Sequence, residues 1–488
     1  LVWILIALLS TVYGDDDSPT HSLKCNMTHL YDDLPGEVDN ITQMFKDGIF
    51  YGRVRFNSFG FRWKEEIDDQ KEDHTVAAIG GSMIYKSAVL NGFSVGAGVY
   101  MTQGIGSLDN EEADLYKAGK GVLSRYDLLT EESLNMITLA QAYLEYTYED
   151  TSVKAGRQMF ESYLTKSNDT KMIPNTFEGL SLYSKSIPDT SLKMAYLTRQ
   201  KLRDHSSFHH LLAYGDDEND PYASYSENDD SAMHKGLTLS ELEARGIDDR
   251  LIIAEAKNDS IENLTLTMNY TAVPDLISSA MLQVDYRFDL GSFIVIPGLR
   301  YMKQFDDGAG EIGGANLKTL THGYSDPASL DTELYAARIN FVEDGFKLRF
   351  GYTNVADKGD IVAPWRGFPT AGFTRSMAQY NWYANTESYM VQVDYEFETF
   401  DEFKIISRYA IQDFDDNKAG VQADSKVFEI NFFKGLGESP VYVKTRFAHV
   451  VGDSNTIVYD VNIDGELEDV IKRDPSYNEL RIEFNYLF

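Results

Sequence analysis

"YNELRIEFNYLF", residues 477–488, alternates without a break: Leu480, Ile482, Phe484, Tyr486 and Phe488 are apolar or aromatic, while Arg481, Glu483 and Asn485 between them are polar. A period of two belongs to a β-strand with two unlike faces. A chain end frays in water unless something holds it, so this strand is expected to be paired. The same alternation recurs through the chain, in "FYGRVRFNSF" (50–59), "AYLEYTYE" (142–149), "MLQVDYRF" (281–288), "YMVQVDYEF" (389–397), "KVFEINFF" (426–433) and "VYVKTRFA" (441–448). Marking every such run gives about 18 candidate strands of about 9 to 13 residues, the length a tilted strand needs to cross a bilayer. Their starts lie near 50, 74, 92, 138, 151, 177, 191, 250, 262, 277, 292, 332, 345, 388, 402, 425, 440 and 478. The pair at 250 and 262, with a turn at Asp259-Ser260, carries the weakest pattern. Helical spacing is confined to short stretches such as 236–245.

The connections alternate in length. Long loops at 64–73, 104–136, 161–176, 205–249, 306–330, 357–387, 413–424 and 451–477 take turns with short ones near 90–92, 149–151, 188–190, 258–261, 289–291, 343–345, 399–402 and 434–439, and only the connection near Pro274 is shorter than its class. A sheet trimmed along one edge and elaborated along the other is expected of a transmembrane barrel, and a soluble sandwich has no reason to produce it. One strand face is Val, Ile, Leu, Phe and Tyr; the other carries Arg, Lys, Glu, Asp, Gln and Asn, as in Gln283, Asp285 and Arg287. In a membrane barrel the apolar face meets lipid and the polar face a lumen. Aromatic residues near strand ends, among them Tyr143, Tyr146, Tyr148, Tyr395, Phe397, Tyr486 and Phe488, suit the two interfacial girdles. The fold class is therefore all-β, a closed antiparallel transmembrane barrel, and about 18 strands enclose more space than side chains fill, which implies an aqueous channel.

Composition narrows the function. The 488 residues hold 44 Lys+Arg against 77 Asp+Glu, a net charge of −33, which leaves no general attraction to nucleic acid. Cys25 is the single cysteine, so the chain forms no internal disulfide and no cysteine metal site. No metal and no cofactor is expected. Residues 1–14, "LVWILIALLSTVYG", read as a signal peptide with a truncated start, 15–47 as a periplasmic segment and 48–488 as the barrel. His209-His210 lacks a third ligand at zinc-like spacing.

"TSVKAGRQMFESYLTKSNDTKMIPNTFEG" (151–179) resembles the OprD family of bacterial outer-membrane porins, through Gly156-Arg157-Gln158, Asn168 to Pro174 and Thr176 to Gly179. The family commonly has arginine where Lys171 stands. "FKDGIFYGRVRFNSF" (45–59), "IGGSMIYKSAVLNGFSVGAGVYMT" (79–102) and the closing strand extend the likeness. The resemblance implies an 18-stranded barrel in the outer membrane of a Gram-negative bacterium. It implies a narrow pore for small polar solutes such as amino acids and other carboxylates, a constricting third loop and a row of basic lumen residues. The terminal Phe488, with Phe484 and Tyr486, resembles the aromatic signal that the barrel-assembly machinery reads, and both monomer and trimer fit the family.

The candidate solute path is the set of arginines in lumen phase: Arg53, Arg55, Arg287, Arg300, Arg338, Arg349, Arg408, Arg446 and Arg481, with Arg157 added from the family motif. A guanidinium holds a carboxylate through two parallel hydrogen bonds, and a row of weak sites lets an anion move on. The alternative for each is a wall ion pair with lumen acids such as Asp285, Asp394 or Glu483. The candidate constriction is 161–176, with Asp169 and Lys171 presenting charge and Met172, Ile173 and Pro174 stiffening the fold-back; "APWRGFPTAGFTRSMAQYNWYANTESY" (363–389) is a second candidate. Acidic clusters at 215–221, 227–231 and 413–416 read first as solvated loop charge, with contact to lipopolysaccharide through shared divalent cations as the alternative. The rivals to a porin are an adhesive or structural barrel and a barrel-embedded hydrolase; no Gly-x-Ser-x-Gly elbow is present for the latter. The sequence offers no plug domain of the kind an active transporter needs.

Overall fold

A computed structural model of the chain describes residues 21–488 apart from 68–70, 107–112, 114, 118, 217–231, 378–379, 398–402, 437–438, 462–466 and 473. The expected signal segment 1–14 lies outside the described residues, as does most of the acidic stretch 215–231. The strands are β1 (Ile49–Trp63), β2 (His74–Lys86), β3 (Phe93–Ile105), β4 (Asn135–Tyr148), β5 (Thr151–Gln158), β6 (Thr176–Ser184), β7 (Thr190–Lys201), β8 (Leu251–Ile261) and β9 (Leu264–Val273). They continue as β10 (Ile277–Tyr286, extended by Phe288–Asp289), β11 (Ile294–Asp306), β12 (Thr332–Glu343), β13 (Phe346–Val355), β14 (Thr386–Glu396), β15 (Lys404–Asp413), β16 (Ser425–Leu436), β17 (Ser439–Gly452) and β18 (Tyr477–Leu487). Each pairs antiparallel with the next, and β18 returns to β1, so the sheet has no edge. All 18 expected strands are present, with starts within three residues of those read from the pattern.

Closure ties down the backbone of the last strand. Arg481 lies opposite Phe59 and Phe484 opposite Phe56, and the Phe488 and Gly52 backbones exchange hydrogen bonds of 3.0 and 2.7 Å. Leu480 and Phe484 face outward while Glu479, Arg481, Glu483 and Asn485 are buried inside, the phase read from the sequence.

The outer surface carries a continuous apolar band that includes Leu180, Met194, Met268, Leu282, Leu299 and Leu480, all exposed. A patch that large is not sustained in water and requires a hydrocarbon partner. Exposed aromatics bracket it: Phe50, Phe93, Tyr146, Tyr148, Tyr286 and Phe293 by the short turns, Tyr270, Phe305, Tyr335, Tyr389 and Tyr409 by the long loops.

Two local expectations are corrected. The β8–β9 turn is at Glu262-Asn263, because Asn263 tolerates the positive φ of 62° that a two-residue turn demands, and Asp259-Ser260 stays in the strand. Tyr143 is not part of a girdle. A bulge opposite Gly98 and Val99 inserts Ala140 and reverses the phase of β4, so Leu139 and Leu144 both face out and Tyr143 turns inward, with Lys154 Nζ 4.9 Å above its ring.

The lumen is also drier than an open channel. On the β6–β13 side the inward phase near the long loops is itself apolar (Phe177, Leu197, Leu251, Ile253, Val273, Met302, Leu334). Loop residues Phe160, Leu164, Leu211, Leu212, Trp365 and Trp382 pack onto it as one hydrophobic cluster. Free lumen is left against β15–β18 and β1 and, at the short-turn end, beside β4–β7. The helix expected in 236–245 is present as Leu239–Arg245, capped by Thr238, within the loop that joins this cluster.

Leu299 sits mid-strand on the lipid face, so Leu299→Arg is expected to destabilise the folded barrel by roughly 2–4 kcal/mol. Urea titration in lipid vesicles, read by heat-modifiable gel mobility, measures it.

Candidate functional site

Two loops cross the lumen. The third long loop, L3 (159–175), is fastened to the seam where the barrel closes. Arg53 and Arg55 project inward from β1 and grip Asp169 between them. Arg53 Nη2 donates to one carboxylate oxygen, Arg55 Nη1 to the other at 2.9 Å, and Arg55 Nη2 to the Asp169 carbonyl at 3.0 Å. Glu483 of β18 lies 2.6 Å from Arg55 and 2.8 Å from Arg481, and Asn57 Nδ2 donates to the Lys171 carbonyl at 3.1 Å. All of these side chains are at most 2 % exposed. Lys171 pairs with Asp204 at 3.0 Å, and Lys201 Nζ donates to the Pro174 carbonyl at 2.7 Å. Met172 and Ile173 pack beside Tyr51, Phe59 and Tyr100. Asp169 and Lys171 therefore fasten the loop, and Asn168 and Thr170 are the residues it shows to the central cavity of the lumen.

The second loop, L7 (356–385), folds in as expected for 363–389. Arg300 of β11 donates to the Pro369 and Ala371 carbonyls at 2.7 and 3.0 Å, and Arg338 of β12 to Gly372 O at 2.9 Å and to Asp285 at 2.6 Å. Both guanidiniums stack on Phe373. At the foot of L7, Asp360 accepts from Asn316 Nδ2, Leu317 N, Tyr324 OH and Ala384 N at 2.8–3.0 Å. Burial pushes this carboxyl up to about 6, and the four donors suit an acceptor that is ionised at neutral pH. L3 and L7 meet through backbone bonds, Lys166 N to Trp365 O (3.1 Å) and Gly367 N to Leu164 O (2.9 Å). A Cβ on Gly367 would lie 2.1 Å from the Leu164 carbonyl carbon, so only glycine permits this approach.

Beside this crossbar is a central cavity of about 350 Å³. Among the described residues that line it, nine are basic (Lys117, Lys120, Arg203, Arg366, Arg375, Arg408, Lys444, Arg446, Arg481) and Glu429 is the one acidic residue, with Phe59, Phe368, Met377, Tyr380 and Phe433 between them. Arg408 bonds Glu429 at 2.5 Å and Gln392 at 2.7 Å, Arg446 bonds Asn431 at 2.7 Å, and Arg481 stacks on Phe59. Lys120 pairs with Glu479; burial lowers its ammonium from the ordinary value and the carboxylate opposes that. A second cavity of about 530 Å³ opens at the short-turn end, between L3 and strands β4–β7.

A family model described as outer membrane porin, OprD family, matches residues 138–402, more than half of the chain. The chain belongs to the OprD family of outer-membrane porins. It is similar in fold to OpdK of Pseudomonas aeruginosa (13 % identity, TM-score 0.65) and to OccAB3 of Acinetobacter baumannii (14 %, 0.67), in each case over 91 % of this chain and 99 % of the other. No curated protein sequence matches it. As an OprD-family porin it is a diffusion channel of the Gram-negative outer membrane, with the short turns in the periplasm and the long loops outside.

Within this porin the ten arginines expected in the row are placed in six different ways. Arg408, Arg446 and Arg481 line the central cavity; Arg53 and Arg55 anchor L3; Arg300 and Arg338 anchor L7. Arg349 bonds Asn340 at 2.8 Å on the inner wall, and Arg287 is exposed at the periplasmic rim. Arg157 shares its phase with exposed Val153, not with Lys154 and Gln158 that line the second cavity; it pairs with Glu178 at 2.7 Å and stacks on Phe208. Lys444 was readable from its phase beside Arg446, whereas Lys117, Lys120, Arg203, Arg366 and Arg375 sit on loops, where no periodicity points to them.

Asp169→Ala would leave two buried cations without their shared carboxylate, which is expected to cost about 3–5 kcal/mol and to expose L3 to protease, as thermal unfolding and limited proteolysis in detergent would measure. Gly367→Ala is expected to push L7 off L3 and raise open-channel noise in single-channel recordings.

Proposed function

We propose that this porin passes small carboxylates through the central cavity, along Arg375, Arg408, Arg446, Arg481 and Lys444. The observation that carries the reading is the nine-to-one excess of basic over acidic lining in a chain whose net charge is −33. Acidic residues elsewhere set the net charge, and the local field in the lumen selects the ion. A low-dielectric wall of packed loops strengthens that field, and several guanidiniums in succession offer weak sites in place of one trap. Arginine beside Phe59, Phe368 and Tyr380 suits a carboxylate on a flat apolar body, since the ring surface takes the body while the guanidinium takes the anion. Vanillate, named with the Pseudomonas aeruginosa OpdK structure, is a molecule of that kind.

In planar bilayers under a salt gradient the reversal potential should show preference for the anion. Replacing both Arg408 and Arg446 by Ala is expected to lower the anion-to-cation permeability ratio roughly twofold to fivefold, about 0.4–1 kcal/mol. Arg338→Ala is expected to alter gating noise through L7 and to leave selectivity nearly unchanged. A cation-selective wild-type channel would falsify the reading.

A further inference from the structure

The chain ahead of the barrel turns back into it. His21–Leu23 and His29–Tyr31 pair as a short hairpin whose bend lies against L3. Asp169 N donates to Asn26 O at 3.0 Å, Asn26 Nδ2 to Glu161 at 2.7 Å and Thr28 Oγ1 to Ser167 O at 3.0 Å. Arg53, which already holds the Asp169 carboxylate, donates from Nη1 to Met27 O at 2.8 Å. Met27 and Thr28 are buried, which a segment resting on the rim would not be. Aromatic contacts fix the hairpin laterally: Tyr31 stacks on Tyr51 of β1 at 5.1 Å and 14°, His29 meets the same ring edge-on, and His21 Nδ1 is 3.0 Å from His29 Nε2. Burial and the neighbouring Arg53 hold His29 down to about 2, so His29 docks as a neutral imidazole.

The two sides of this segment face different spaces. Cys25 and Asn26 line the central cavity, while Lys24, Thr28, His29 and Leu30 line the periplasmic one. L3 divides the same way, with Asn168 and Thr170 toward the first and Glu161 and Ser167 toward the second. We infer that residues 21–31 form a pre-barrel strap which, together with L3, is the partition between the two cavities and a second constricting element of the pore. The strap shares its anchors with L3 through Arg53 and Asp169. It narrows the route that an anion leaving the basic cavity takes toward the periplasm.

The inference rests on the porin reading, and single-channel recording separates the two. Excising residues 21–31 is expected to at least double the conductance and to lower anion preference. Cys25, exposed and the chain's sole cysteine, gives a test on the intact protein. A methanethiosulfonate reagent carrying a sulfonate should reduce the wild-type current in a discrete step, and Cys25→Ser should abolish that step. Wild-type channels that conduct but ignore the reagent, or an assembled excision variant with unchanged conductance, would overturn the strap and leave the porin reading intact. Wild-type protein with no current at all would instead refute the porin reading.

Discussion

A carboxylate held between two guanidiniums on the closing seam organises the lumen of this barrel. Arg53 and Arg55 lie on the first strand, Glu483 and Arg481 on the last, and Asp169 on L3, so strand closure and loop docking share one buried cluster. Burying so many charges is unfavourable unless nearly every one is paired and hydrogen-bonded. The docking of L3 and the closure of β18 on β1 therefore depend on the same charges, because Arg55 bonds both Asp169 and Glu483. Met27 O on Arg53 brings the pre-barrel segment into the same cluster.

From that anchor the rest of the lumen divides into a dry part and a wet part. L7 is held to the far wall by Arg300 and Arg338, meets L3 at Gly367, and joins Trp365 and Trp382 to a hydrophobic mass that fills the barrel beside β6–β13. That mass supplies rigidity and a low dielectric. Basic side chains at its margin consequently act on a solute more strongly than they would in an open water-filled barrel. Arginine serves both parts, as a fastener where its donors meet loop carbonyls and as lining where they face the cavity.

The alternation of "NELRIEFNYLF" and its relatives made strand number, closure and facing legible, because lipid outside and polar groups inside impose a strict period of two. Departures came from local backbone events that leave little trace in composition, such as the bulge at Ala140 that turned Tyr143 inward. The filled half of the lumen was not legible in the sequence, whose alternation implies a polar inner face throughout; runs such as "LIIAEA", apolar in both phases at their outer ends, are the trace it leaves. Phase identified inward arginines and wall acids such as Asp285 and Glu483, which pair with Arg338 and with Arg55 and Arg481, but not the loop groups that the arginines fasten. Arg53 and Arg408 look alike in sequence, and only the placement of Asp169 separates an anchor from a lining group. Loop-borne cations such as Arg366 and Arg375 obey no period and emerge only when L7 is seen to fold inward.

Single-channel conductance of Asp169→Ala, Arg55→Ala and the double variant tests the central claim most directly, namely that one seam cluster positions the constriction. Each single substitution is expected to widen the pore and raise conductance, and the double variant to go little further, since both remove the same fastening. Wild-type conductance in Asp169→Ala, or effects that simply add, would contradict it.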